Sequence, residues 1–230
     1  MNLAALFSGG KDSIFAIHRV QEMGHSIGCL VTIMTSSPDS HLLHHPNVSW
    51  TKLQAQAMNI PQIFIQSNSD DTEHELELLK HGLKKAKKEY GIEGIVHGGI
   101  LSRFQKSKFE TLSQDLDLKI ISPIWKENEE KYMSELITTN FEFILSSVSC
   151  DGLDETWLGK KITKNNLESL VQKSKKHKFN LSFEGGEAET FVTNCPLFSN
   201  PIEITRYEKF WDGYRGRFEI TEAVLKNNVR

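Results

Sequence analysis

Apolar runs of strand length alternate with amphipathic stretches through the first half of the 230-residue chain. Leu3 to Phe7 is apolar throughout, and Ile14 to Met23 reads as a helix with Gly24 as its C-cap. Ile27 to Met34 is nearly continuously apolar, as expected of a strand covered on both faces. Thr35 to Asn47 then reads as a long loop at that strand's C-terminal end, placed to hold a base or act as a lid. Ser49 to Met58 puts Trp50, Leu53 and Ala57 on one helical face, Asn59 can end it, and Ile63 to Ile65 is the next strand. Asp70 to Tyr90 carries Leu76, Leu79, Leu83, Ala86 and Tyr90 at three- and four-residue spacing, a long amphipathic helix closed by Gly91. Ile95-Val96 follows as a short strand, Gly98-Gly99 as a turn, Leu101 to Leu116 as a helix, and Ile120-Ile121 as a strand stopped by Pro123.

This alternation predicts an α/β fold, a doubly wound, mostly parallel sheet with right-handed crossovers. The pattern then changes. Phe141 to Val148 is strand-like, Asn165 to Lys176 helical, and short β-like runs lie near Phe191-Val192, Ile202 to Ile204 and Phe218 to Ile220. Two regions are expected, 1–125 and a smaller α+β region 126–230, packed tightly because no flexible linker separates them.

Composition narrows the class. With 38% hydrophobic residues, 25% charged residues and a net charge of −3, the chain reads as a globular protein with little grip on a polyanion. Lysines cluster at 84, 85, 87 and 88 and at 173, 175, 176 and 178, both read as solvated helix faces. Three separated cysteines, Cys29, Cys150 and Cys195, give neither a disulfide framework nor a CxxC metal site. No apolar run reaches the length of a membrane span and no export signal is evident, so a cytoplasmic protein with no membrane partner is expected. Oligomeric state is left open, a homodimer included.

The first candidate chemistry is Ser8-Gly9-Gly10-Lys11-Asp12-Ser13, lying between the first strand and the first helix. Two glycines can turn backbone N–H groups toward one point, and a helix start adds unpaired donors, so this is an anion site. Lys11 supplies positive charge, and Ser8 and Ser13 supply hydroxyls. Asp12 is read at the N-cap, where a carboxylate beside phosphates implies Mg²⁺. Gly98, Gly99, Ser102 and Gln105 form a second turn of phosphate-facing groups at another strand's end, together with Arg103 and Lys106. His41, His44 and His45 have only Asp39 beside them and fall short of a metal ligand set.

Carboxylates crowd two later segments: Asp151, Asp154 and Glu155 beside Trp157, and Glu184, Glu187 and Glu189 around Gly185-Gly186. Acids this dense are costly to bury without a cation, which points to a cationic substrate, ammonium or Mg²⁺.

The first loop resembles the SGGxDS pyrophosphate loop of the ATP pyrophosphatase superfamily, whose fold is that of the adenine nucleotide alpha hydrolases (HUP type). With GGILSRFQ, GLDETWLG and EGGEAETFVTNCPLF in order, nearly the whole chain is similar to the diphthine–ammonia ligase, or diphthamide synthase, family in its short archaeal-type form. The resemblance implies ATP-dependent amidation of diphthine on translation elongation factor 2, with ammonium as nitrogen donor and AMP and pyrophosphate as products of an acyl-adenylate route. Phe104 and Ala188 depart from the family pattern, which usually has tyrosine and an aromatic residue there.

That chemistry assigns ATP and pyrophosphate to residues 8–13, Gly98, Gly99, Ser102 and Gln105, with Asp12 on Mg²⁺. A carboxylate does not react with ammonia until its oxygen is made a leaving group, so the adenylation half falls to Lys11 and Asp12 and the acceptor or ammonia half to Glu187 and Glu189. Diphthine carries a trimethylammonium group, which Trp157 and the carboxylates of Asp154, Glu155, Glu184, Glu187 and Glu189 are suited to hold. Two other readings stay open: a tRNA-modifying ATP pyrophosphatase, and a module that binds nucleotide without turnover.

Overall fold

A computed structural model describes residues 1–34, 47–69 and 71–226. Five strands, β1 (Asn2–Leu6), β2 (Ser26–Met34), β3 (Gln62–Gln66), β4 (Gly94–Val96) and β5 (Lys119–Ile121), form a parallel sheet in the order β3-β2-β1-β4-β5. Helices α1 (Lys11–Glu22), α2 (Thr51–Met58), α3 (Thr72–Tyr90) and α4 (Arg103–Asp115) connect them. The period of two in β1 sorts the core: Leu3, Ala5 and Phe7 pack with Ile14 and Ile17 of α1, while Ala4 and Leu6 pack with Leu79 and Leu83 of α3 and Phe109 and Leu112 of α4. Helices therefore cover both faces, the doubly wound layout that the alternation predicts.

Five further elements follow: α5 (Glu129–Thr138), β6 (Glu142–Val148), α6 (Lys164–His177), β7 (Ala188–Asn194) and the hairpin β8 (Ile202–Trp211) with β9 (Gly216–Leu225). Their strands form an antiparallel sheet in the order β7-β6-β9-β8. One continuous apolar cluster runs from β1 and α1 through Tyr132, Met133 and Leu136 of α5 to Phe143, Phe191 and Phe218. Phe15 of α1 meets Tyr132 and Phe141 edge-on, with ring centroids 5.5 and 5.2 Å apart. Helix α1 thus serves both sheets.

Three sequence expectations need correction. The first helix begins at Lys11 rather than Ile14, because its polar first turn escapes an apolar-periodicity reading. Gly10, in extended conformation, is the N-cap, so Asp12 lies inside the first turn; at the other end Met23 is the C-cap and Gly24 follows with φ +82°. Helix α5 is unanticipated. Its signals were the Asn128 side chain, which accepts from the Lys131 N–H, and the acidic pair Glu129-Glu130 in the first turn.

Helix α3 is capped by Asp71, whose carboxylate accepts from the His74 N–H. Of the loop read over Thr35 to Asn47, residues 35–46, with Asp39, His41, His44 and His45, lie outside the described residues, as does Asp70.

Candidate active site

The order of the sheet reverses between β1 and β4, and the crevice beyond their C-terminal ends is where an open α/β sheet binds ligands. A cleft of about 400 Å³ opens there. Its lining combines apolar Leu6, Val31, Ile33, Leu79 and Phe109 with polar groups. Ser8, Lys11, Asp12 and Ser13 come from the first loop, Gly98, Gly99, Ser102 and Gln105 from the β4 turn, and Glu184, Glu189 and Thr190 from the chain entering and forming β7. Segments far apart in sequence share one cavity.

The first loop is held from both sides. Gly9 has φ +81°, open only to glycine without strain, and its carbonyl accepts from the Val192 N–H at 3.2 Å and from Nε2 of buried Gln54 at 2.9 Å. The same Gln54 nitrogen donates to the Val192 carbonyl at 2.9 Å. The Lys11 N–H donates to Thr190 Oγ1 at 3.0 Å, and Ser13 Oγ donates to the Gly10 carbonyl at 3.0 Å. On the β4 side, a Cβ on Gly98 would stand 2.4 Å from the Asp12 backbone carbon, so only glycine lets this turn press against the start of α1.

Lys11 is 1% exposed, and its ammonium is bound on three sides. Nζ donates to both carboxylate oxygens of Asp12 at 2.9 Å and to the Ser182 carbonyl at 2.6 Å. Tyr132 Oη donates to Asp12 Oδ1 at 2.6 Å. Burial, then the Asp12 carboxylate, push the Tyr132 hydroxyl far above its ordinary value, so it stays a donor. Glu129 completes the network, accepting from the Leu181 N–H at 3.0 Å and from Ser182 Oγ at 2.8 Å.

His97 ends β4. The Gly99 N–H donates to its Nδ1 at 3.1 Å, so the ring proton is on Nε2, 2.6 Å from Ser122 Oγ. Burial, and secondarily Lys106, lower its pKa to about 4, and the ring is neutral at pH 7.

The three carboxylates around Gly185-Gly186 differ. Glu184 Oε1 accepts from the N–H groups of Ile100, Leu101 and Ser102 at 3.0, 3.2 and 3.2 Å, which pins the β4 turn to the chain ahead of β7. Glu187 spends both oxygens locally: Oε1 accepts from the N–H and Nδ2 of Asn180 at 2.9 and 2.7 Å, and Oε2 from the Gly185 N–H at 2.8 Å. It does not line the cleft, whereas Glu189 does, with its own N–H tied to Ser147 Oγ at 3.1 Å.

The structure does not bring Asp154, Glu155 and Trp157 to this cavity. Trp157 is 3% exposed within the core, with Lys160 Nζ 4.3 Å from its ring centroid. Asp154 caps the short 3-10 turn that follows it, accepting from the Thr156 N–H at 3.0 Å and from the Thr156 hydroxyl. Glu155 is exposed. Gln54, His97, Glu129, Tyr132 and Ser182 are supporting residues that sequence reasoning missed. A buried amide, imidazole or phenol supporting a distant loop leaves no local pattern.

Comparison with known proteins now decides the family. A family model described as the diphthamide synthase N-terminal domain matches residues 1–120, and one described as its C-terminal domain matches residues 128–226. The chain belongs to the diphthamide synthase family. Curated relatives named diphthine–ammonia ligase include those of Rattus norvegicus and Homo sapiens, 33% and 32% identical to this chain. Each match spans 90% of the chain and 84% of the relative. The longer relative from Schizosaccharomyces pombe is 29% identical, with 90% of the chain and 37% of the relative matched. A solved structure titled as a predicted subunit of tRNA methyltransferase from Methanocaldococcus jannaschii aligns with a TM-score of 0.45 and 16% identity, over 85% of this chain and 97% of that one. That likeness carries no argument. Within the diphthamide synthase family, the cleft between the first loop and β7 is the candidate active site.

Proposed function

We propose that this chain is a ligase that amidates diphthine on translation elongation factor 2 with ammonium, consuming ATP through an acyl-adenylate and releasing AMP and pyrophosphate. The observation that carries the reading is the junction of the Ser8 to Ser13 loop with Thr190 and Val192: a phosphate-type loop and the carboxylate-rich segment share one cleft. Family membership and the name borne by the relatives support the substrate and the bond formed.

The division of labour follows from chemistry. Residues 1–125 supply the ATP half: the first loop would hold the phosphates, with the buried Lys11 ammonium adding positive charge beside it while tied to Asp12 and Ser182, and the second wall is Gly98, Gly99, Ser102 and Gln105. Residues 126–230 supply the acceptor half, with Glu184 and Glu189 as carboxylates at the cleft. Mg²⁺ fits Asp12, whose carboxylate faces the cleft beside the loop. Among the described residues no cluster of three or more His, Cys, Asp or Glu is placed to hold a metal ion, so the ion in this reading would be held by Asp12 and the phosphates. When bound, that ion would neutralise charge on the departing pyrophosphate. A substrate carried on a translation factor implies a cytoplasmic site of action, and among the described residues no helix is long and apolar enough to cross a membrane.

Free ammonium is the donor in this reading. A glutamine-dependent centre needs a nucleophilic thiolate, and burial pushes Cys29, Cys150 and Cys195 up to about 12, 11 and 12. Incubation with ATP, ammonium and diphthine-bearing elongation factor 2 should yield AMP, pyrophosphate and diphthamide by mass spectrometry. Glutamine in place of ammonium should yield no amide. ADP release, or AMP release without amide, would overturn the assignment.

A further inference from the structure

The cleft holds two acceptor-side carboxylates, and one of them is built asymmetrically. Glu184 Oε1 is fixed by three backbone N–H groups, from Ile100, Leu101 and Ser102. Oε2 accepts no hydrogen bond among the described residues, and the residue lines the cleft. A carboxylate anchored through one oxygen keeps the other at a set place and orientation, which is what a proton acceptor needs. Glu187 lacks that freedom because both of its oxygens are bound within its own turn.

We propose that Glu184, through Oε2, binds the incoming ammonium and takes one of its protons, so that ammonia is formed beside the activated acyl group. This rests on the ligase reading above. In the step, Glu184 changes from carboxylate to neutral carboxyl as NH₄⁺ becomes NH₃. The freed lone pair forms the C–N bond to the acyl carbon, the bond from that carbon to the AMP oxygen breaks with its electron pair leaving on AMP, and the remaining excess proton on nitrogen passes to water.

The surroundings suit the task. Asp12 and Lys11 of α1, His97 beyond β4, Tyr132 of α5 and Glu189 of β7 are among the ionisable groups facing Glu184 or lining its cleft, and the His97 ring is neutral at pH 7. Burial first, then Asp12, raise its pKa above the usual carboxylate value, against the opposing pull of the Ile100 and Leu101 N–H groups and Lys11. A more basic carboxylate competes better for an ammonium proton.

Hydroxylamine provides the test, because it is largely uncharged at neutral pH and attacks acyl-adenylates without first losing a proton. Glu184→Gln keeps an oxygen for the three N–H donors but gives up the base. The quantity to read is the ratio of hydroxamate to amide formed by one enzyme preparation on diphthine-bearing elongation factor 2, with hydroxylamine and ammonium supplied separately. This ratio does not depend on how much adenylate forms, so a poorly folded variant still reports. Loss of a general base predicts a rise of about 10²-fold in the ratio for Glu184→Gln. Amide formation by the variant should also recover as pH approaches the pKa of ammonium itself. An unchanged ratio would overturn the proposal even if both products fall. Absence of both products and of pyrophosphate exchange from the wild-type enzyme would instead sink the ligase reading, and this proposal with it.

Discussion

Thr190 Oγ1 accepts a hydrogen bond from the Lys11 N–H across 179 residues of sequence, at 3.0 Å. The strand that brings the carboxylate segment to the cleft therefore also supports the first turn of the helix behind the phosphate-type loop. Thr190→Val keeps the shape and removes the acceptor. An unpaired buried N–H costs about 1–3 kcal/mol, so urea unfolding should show a loss of that order. ATP affinity should fall with it, and Thr190→Ser should recover most of both.

Lys11→Ala tests the adenylation half. The substitution removes a buried ammonium that bridges Asp12 and the Ser182 carbonyl. Pyrophosphate exchange should drop by about 10²-fold, the loss typical of one donor to developing charge. Exchange at the wild-type rate would show that the phosphates do not depend on this residue.

Glu187 and Glu189 should separate cleanly. Glu187 holds the Asn180 to Gly185 turn, so Glu187→Gln should lower stability and disturb the cleft indirectly. Glu189 lines the cavity, and Glu189→Gln should leave nucleotide binding nearly intact while amide formation falls. Calorimetric titration with ATP beside a product assay reads both. Parallel loss of ATP binding in Glu189→Gln would put this carboxylate on the nucleotide side.

His97 imposes a pH dependence on folding. Its pKa is about 4 in the native protein, against 6.5 for an unhindered histidine, so the unfolded chain binds the extra proton first. Stability from this group is complete above pH 6.5, declines as the pH falls toward 4 and is level below that. The full amplitude is about 3 kcal/mol. Urea unfolding of the wild-type protein and of His97→Asn across this range should differ in the pH dependence of stability, and an equal dependence would mean that the ring takes up its proton at the same pH in the folded and unfolded chains.

Much of the architecture was legible because buried parallel strands and amphipathic helices write periodic patterns: Ile27 to Met34 and the Leu76 to Tyr90 series fall on β2 and α3. The glycines of the two loops were legible as turns at strand ends. Roles that depend on distant partners were not. Trp157 and Asp154 read as a cation site from local composition, yet the fold puts one in the core and uses the other as a cap. Tyr132 sits in a helix whose pattern is short and mostly polar, and only the packing of α5 against α1 brings its hydroxyl to Asp12.

The bonds from Val192 and Thr190 to the first loop also order events during synthesis. As the chain leaves the ribosome, residues 8 to 13 emerge well before the strand that braces them, since Thr190 follows Lys11 by 179 residues. A nascent chain that has not yet exposed β7 carries the glycine loop without the Thr190 and Val192 bonds that clasp it, and the cleft without Glu189. The brace on the first loop and the Glu189 side of the cleft arrive together, with one late strand.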